Sequence, residues 1–210
     1  MSAAKKSLLI IAGILLIDQA SKIWVKTHMF IGQEYKVFDN WFLIHFTENN
    51  GMAFGMDIPG SYGKIFLSLF RILAVGIIGW YLYDLMKKKA TTGLIVSISL
   101  ILAGALGNII DSTFYGMIFS DSYYQVAEIF PENGGYGTFL HGRVVDMFYF
   151  PIVEGHYPSW FPDADWLPHW FPKANQHFIF FRPVFNIADS AITSGVLLII
   201  IFQKRFFKTK

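Results

Sequence analysis

Residues 90–110, ATTGLIVSISLILAGALGNII, form a run of 21 positions without a charged side chain. A helix rises about 1.5 Å per residue, so about 20 apolar residues cover the hydrocarbon core of a bilayer. The run therefore reads as a transmembrane helix, and it sets the class of the whole chain.

Three further stretches share its character. Ser7 to Ile17 is apolar and continues through Asp18-Gln19-Ala20-Ser21-Lys22 to Val25. Ile65 to Phe70 and Ile72 to Tyr83 flank Arg71, and Ser190 to Gln203 is uncharged, with Phe185 to Ala188 lengthening it towards the N-terminus. Together they predict four transmembrane helices at about 7–27, 64–86, 91–112 and 185–206. The composition agrees. Of 210 residues, 54% are hydrophobic and 15% charged, where a soluble domain carries about 25% charged residues. The chain reads as a single integral membrane domain over residues 1–210.

Nine of the 17 Lys and Arg residues fall at one level of this scheme. Lys5 and Lys6 precede the first helix. Lys87, Lys88 and Lys89 separate the second from the third, and Lys204, Arg205, Lys208 and Lys210 follow the fourth. Basic loops stay in the cytoplasm. Both termini are then cytoplasmic, and segments 28–63 and 113–184 lie outside. The first segment reads as a retained helix, not a cleaved leader, because its apolar stretch runs into Asp18 and Lys22 without a small-x-small site.

Within the outer segments, Val37 to Phe46 alternates and is rich in aromatics, as strands are. Thr47-Glu48-Asn49-Asn50-Gly51 supplies turn chemistry. Residues 147–181 hold 12 of the 38 aromatics and five of the eight prolines, with Trp160, Trp166 and Trp170 prominent. Prolines disfavour a regular helix and Trp favours the membrane interface, so this segment reads as a loop on the lipid surface. The expected fold is a membrane all-α class: four transmembrane helices, a small β-rich extracytoplasmic subdomain and an aromatic-rich outer loop.

Several chemistries drop out. The net charge of +2 is too small to point to nucleic acid, and without cysteine there is no thiolate nucleophile or thiolate metal ligand. None of the six histidines forms an H-E-x-x-H pair, and no serine has an evident base. What remains is a convergence of acids. Asp18 and Lys22 share a face of the first helix, Asp111 ends the third, Asp189 begins the fourth, and Asp146 lies between them, with Asn108 and Asn186 close by. A carboxylate at membrane depth costs several kcal/mol and is a functional candidate by default. Asp18 with Lys22 also fits an internal ion pair, Asp111 a solvated helix end, and the asparagines interhelical hydrogen bonds. Asp189 has no basic neighbour in helical register, and Asp146 has none unless its own segment is helical, Arg143 being its nearest cation in sequence; the two suggest an acid–base dyad. A small proton-coupled transporter is the competing reading, but its acids belong at the bilayer midplane. A lipid-binding module is a third, and would tolerate loss of either acid.

In order along the chain stand Asp18-Gln19-Ala20-Ser21-Lys22, Glu48-Asn49-Asn50-Gly51-Met52-Ala53-Phe54-Gly55, Gly104-Ala105-Leu106-Gly107-Asn108-Ile109-Ile110-Asp111, Gly142-Arg143-Val144-Val145-Asp146-Met147-Phe148 and Phe185-Asn186-Ile187-Ala188-Asp189-Ser190. This series resembles lipoprotein signal peptidase, also called signal peptidase II, a family of membrane aspartic endopeptidases. The resemblance implies that Asp146 and Asp189 are the catalytic pair and that water is the nucleophile. It implies that Asp18, Lys22, Asn49, Gly51, Asn108, Asp111 and Asn186 line or support the site. It implies a diacylglyceryl-modified prolipoprotein substrate, cut just before its lipidated cysteine, in the inner membrane of a bacterium. Membrane lipid is then the other partner, a monomer is expected, and no metal or other cofactor is called for. Two features depart from the family pattern. The third motif usually continues from Asp into Arg, and here Ser112 follows Asp111; Arg143, close to Asp146, is expected to supply that cation. The outer segments are also long.

Overall fold

The computed structural model describes residues 2–50, 61–163, 166, 168, 171–180 and 183–207. Its helices in chain order are α1 (Ala3–His28), α2 (Ser61–Lys87), α3 (Thr92–Ile110), a π-helical turn (Asp111–Tyr115), the single turn α4 (Gly116–Ile118) and α5 (Ile187–Phe206). The four long helical stretches are long and apolar enough to cross a membrane, and they coincide with the four expected spans to within a few residues. Local chemistry fixes two of the starts. Ser2 Oγ accepts from the Lys5 amide at 3.3 Å. Asn186 and Asp189 form a reciprocal capping box at the start of α5.

Exposure runs opposite to that of a soluble protein. Leu16 is 72% and Ile201 67% exposed, whereas Asp18, Lys22, Asp111 and Asn186 are 0% exposed. Apolar flanks suit contact with lipid tails, and the polar groups satisfy one another inside. Small residues permit the closest approaches. A Cβ at Gly104 would lie 2.1 Å from Ala188 O, and one at Gly107 would lie 2.7 Å from Asp18 Oδ2. Glycine at these two positions lets α3 close against α5 and α1 together.

Among the described residues, six strands join the helices: β1 (Glu34–Phe38), β2 (Phe42–Asn49), β3 (Val144–Tyr149), β4 (Val153–His156), β5 (His177–Phe180) and β6 (Val184–Phe185). The main sheet has the order β1-β2-β3-β6, and all its pairings are antiparallel. The strands expected between Val37 and Phe46 are β1 and β2. The aromatic segment is more ordered than a simple loop. Its two ends pair as the separate β4–β5 ribbon, while Trp160 and Trp166 stay exposed; Trp170 lies outside the described residues.

Register positions the site. Thr47 pairs with Asp146 and Asn49 with Val144, so Asn49 is a diagonal neighbour of Asp146 on one face. Phe148 pairs with Phe185, immediately before the Asn186 cap of α5. The sheet thereby delivers Asp146 to the start of that helix. A core of Val25, Met29, Phe46, Tyr115, Phe119, Val145 and Met147 joins α1, the π turn and the sheet.

Candidate active site

The base of the site is ionic. Lys22 Nζ contacts Asp18 Oδ2 at 2.9 Å and Asp111 Oδ2 at 2.8 Å, and donates to Asn108 Oδ1 at 3.0 Å. An ammonium has three donors, and all are engaged. Asp18 Oδ1 accepts the Ala188 amide at 2.9 Å, in the first turn of α5, where the helix dipole favours an anion. Gln19 Nε2 donates to Asp111 Oδ1 at 2.9 Å, and Tyr115 donates to Gln19 Oε1 at 3.1 Å. Asp111 Oδ2 accepts the Val145 amide at 3.3 Å. The Asp18–Lys22 pair is therefore the hub that ties α1, α3, α5 and β3 together, and Asp111 is a buried member of it, not a solvated helix end.

Asp111 opens the π turn, a wide coil of the kind often found at functional sites. Gly142 N donates to Ser112 O at 2.9 Å and Leu140 N to Thr113 O at 3.2 Å. These bonds lay the segment leading into β3 against the end of α3.

Two asparagines join the outer carboxylates. Asn108 Oδ1 accepts from Lys22, which turns its Nδ2 to donate to Asp189 Oδ1 at 2.8 Å. Asn186 Oδ1 accepts the Asp189 amide at 2.9 Å, so its Nδ2 donates to Asp146 Oδ1 at 2.7 Å. Asn186 Nδ2 also reaches Asn108 Oδ1 at 3.2 Å. The amide orientations follow from these partners, because an ammonium and a backbone N–H can only donate. The result is a continuous link Asp146–Asn186–Asn108–Asp189. Asn49 adds a side-chain hydrogen bond to Asp146.

Asp146 is 4% exposed. Burial, and then the charge of Asp189, push its carboxyl from the usual 3.8 up to about 7, against the opposing pull of Asn186, Lys22 and Asn49. A carboxyl that holds its proton near neutral pH beside a second carboxyl is equipped for acid–base chemistry.

A second polar cluster lies beside the first. Glu48 pairs with Lys26, and with Arg143 Nη1 at 2.9 Å. Arg143 also reaches Asp121 at 3.4 Å and stacks over Tyr136 at 4.7 Å. This corrects the expectation for Arg143. It lies just before β3 and its guanidinium pairs with Glu48, and the cation that contacts Ser112 is Arg71 of α2, whose Nη1 donates to Ser112 Oγ at 3.2 Å. Arg71, Gln19, Tyr115 and Glu48 are the site residues that sequence reasoning missed. An arginine interrupting an apolar helix was the available signal for the first. The remaining expected residues, Asp18, Lys22, Asn49, Asn108, Asp111, Asp146, Asn186 and Asp189, come together; Gly51 lies outside the described residues.

The acids gather at the sheet end of the helices, Asp111 just past the last residue of α3 and Asp189 the third residue of α5. That placement differs from a midplane transport site. A cleft of about 480 Å³, lined by Pro183, Phe185, Asp189, Ser190, Thr193 and Ser194, opens beside Asp189.

A family model described as signal peptidase (SPase) II matches residues 10–205 of the chain. The chain is similar to the lipoprotein signal peptidase of Porphyromonas gingivalis, with 52% identity over 193 residues, covering 91% of this chain and 80% of that protein. It is 36% identical over 192 residues to the lipoprotein signal peptidase of Amoebophilus asiaticus, covering 90% of this chain and 73% of that one. A solved structure described as a bacterial membrane enzyme superposes with a TM-score of 0.61 at 27% identity, covering 98% of this chain and 93% of the other. A second structure with the same description gives a TM-score of 0.58 at 28% identity, covering 98% of this chain and 95% of the other.

Proposed function

The chain belongs to the signal peptidase II family of membrane aspartic proteases that process lipoproteins, and on that premise we propose that Asp146 and Asp189 hydrolyse diacylglyceryl-modified prolipoproteins just before the lipidated cysteine. The observation that carries this reading is the link from Asp146 through Asn186 and Asn108 to Asp189, which holds two carboxylates in fixed relation beside an open cleft.

Neighbouring carboxylates cannot both ionise cheaply, so the pair shares a proton. The high value of Asp146 favours that residue as the proton holder. Asp146 then donates a hydrogen bond to the scissile carbonyl, while Asp189 takes a proton from the attacking water. The water oxygen bonds to the carbonyl carbon, the C–N bond breaks, and a proton passes to the leaving amine. A new carboxyl and a new amine result, with no acyl-enzyme and no metal. The macroscopic titration belongs to the pair.

Depth supplies selectivity. Two acyl chains hold the substrate cysteine at the bilayer surface, which is the level of the helix ends where the acids sit, and lipid binding thereby positions the peptide bond. The basic residues Lys87, Lys88, Lys89, Lys204 and Arg205 favour cytoplasmic termini and a site on the outer face of the bacterial inner membrane. One copy of the chain supplies every group used here, so a monomer suffices.

The test is cleavage of a diacylglyceryl-modified prolipoprotein in detergent or vesicles. Folded Asp146→Asn and Asp189→Asn variants should each lose at least about a thousandfold in turnover. Near-normal turnover by either would sink the dyad, and equal cleavage of the unlipidated precursor would sink the role of lipid.

A further inference from the structure

Arg71 is a charge in the wrong solvent for most of its helix. Phe66, Leu69, Phe70 and Leu73 around it are all exposed on the apolar flank of α2. An arginine within a transmembrane helix is costly and almost always faces the protein interior or a water-filled cavity. Arg71 is half-buried, and its guanidinium donates to Ser112 Oγ at 3.2 Å. The Ser112 hydroxyl donates in turn to Asn108 O at 2.9 Å, and Asn108 Nδ2 donates to Asp189 Oδ1 at 2.8 Å. A short chain of hydrogen bonds therefore leads from α2 to the reactive pair.

The charges facing the pair can be summed over the described residues. Asp18 and Lys22 come from α1, Arg71 from α2 and Asp111 from the π turn, around Asp146 on β3 and Asp189 on α5. Lys22 balances only one of its two acids, and its three donors are spent on Asp18, Asp111 and Asn108. Without Arg71 the pair would face a net negative base. Its guanidinium lies within electrostatic reach of Asp189 first, then of Asp111 and Asp146.

We propose that Arg71, seated by Ser112, is a positioning residue whose fixed positive charge keeps one carboxylate of the pair ionised. The proposal rests on the dyad reading above. Charge is the essential property. A lysine serves in the same place, whereas a neutral side chain of similar length does not.

The experiment is the pH profile of kcat for the full chain, comparing wild type, Arg71→Gln, Arg71→Lys and Ser112→Ala on a diacylglyceryl-modified prolipoprotein. Loss of a nearby cation makes a carboxylate harder to ionise, so the acid limb moves to higher pH. Arg71→Gln should shift it up by about one unit, with KM little changed. Arg71→Lys should restore the wild-type limb. Ser112→Ala, which keeps the charge but frees its seat, should shift it by less in the same direction. An unmoved limb in folded Arg71→Gln overturns the proposal, as does a rise in KM without a shift, which marks substrate contact instead. If Arg71→Gln does not fold, Ser112→Ala decides, and an unmoved limb there overturns it. Asp189→Asn run in parallel separates the two ideas. Activity in that variant removes the dyad, whereas an inactive Asp189→Asn with an unmoved Arg71→Gln limb removes only the role of Arg71.

Discussion

Asn186 and Asp146 stand 40 positions apart in the chain, yet Asn186 Nδ2 donates to Asp146 Oδ1 at 2.7 Å inside the protein. The same asparagine caps α5 through Asp189, so one side chain sets the start of a helix and one wall of the carboxylate pair. Asn186→Ala removes both functions. Leaving Asp146 short of a buried partner costs about 1–3 kcal/mol, which corresponds to roughly a 5- to 150-fold fall in kcat. The lost cap adds about 1 kcal/mol of instability. Steady-state kinetics and thermal unfolding of one preparation read both, and an unchanged kcat rules out the wall.

Lys22→Met strands Asp18 and Asp111 in a fully buried site. Removing one partner of a buried ion group destabilises by about 3–5 kcal/mol. The variant should unfold in detergent at a clearly lower temperature, and Lys22→Met combined with Asp111→Asn should recover part of the loss. A Lys22→Met protein as stable as wild type contradicts the hub.

The proton on Asp146 makes stability depend on pH. Its folded value is about 7 against an ordinary 3.8. Between these limits the native state binds the extra proton, so the contribution is intact below about 4, falls as pH rises and is fully lost above about 7. Asp146→Asn removes that dependence. The variant should match wild type near pH 4 and exceed it by up to about 4 kcal/mol at pH 8, while losing activity at both. Denaturant titrations at the two pH values check this, and equal stability at pH 8 counts against it.

Gly104→Ala places a methyl group 2.1 Å from Ala188 O. The helices must part, at a cost of about 1–3 kcal/mol, and Asn108 is drawn away from Asp189. The expected result is a lower unfolding temperature together with a fall in kcat. Gly13→Ala is the control, because a Cβ there meets nothing within 4 Å.

The helices were legible because a bilayer demands long charge-free runs, and 90–110 could be nothing else. Asp18 and Lys22 were legible as partners because positions four apart share a helix face. Gln19 was not, since its partner Asp111 lies 92 positions away. Strand β3 hid behind its own burial. With Val144, Val145, Asp146 and Met147 all buried, it shows no alternation to read. Arg143 misled for a different reason, because proximity to Asp146 in sequence does not reveal partners such as Glu48, 95 positions away. Arg71 and Ser112 are 41 positions apart on different helices, and no spacing rule connects them.

Asp189 is the third residue of α5, and both of its oxygens are held at that first turn, one by Asn108 and one by the Asn186 amide. Asp18 holds the Ala188 amide and Phe185 pairs with Phe148, so that same turn is fixed to α1 and to the strand that carries Asp146. Helix tilt follows from packing of this kind and not from bilayer thickness alone. The gap between the two acids is therefore a dimension of the protein, which lipids of different length leave as it is.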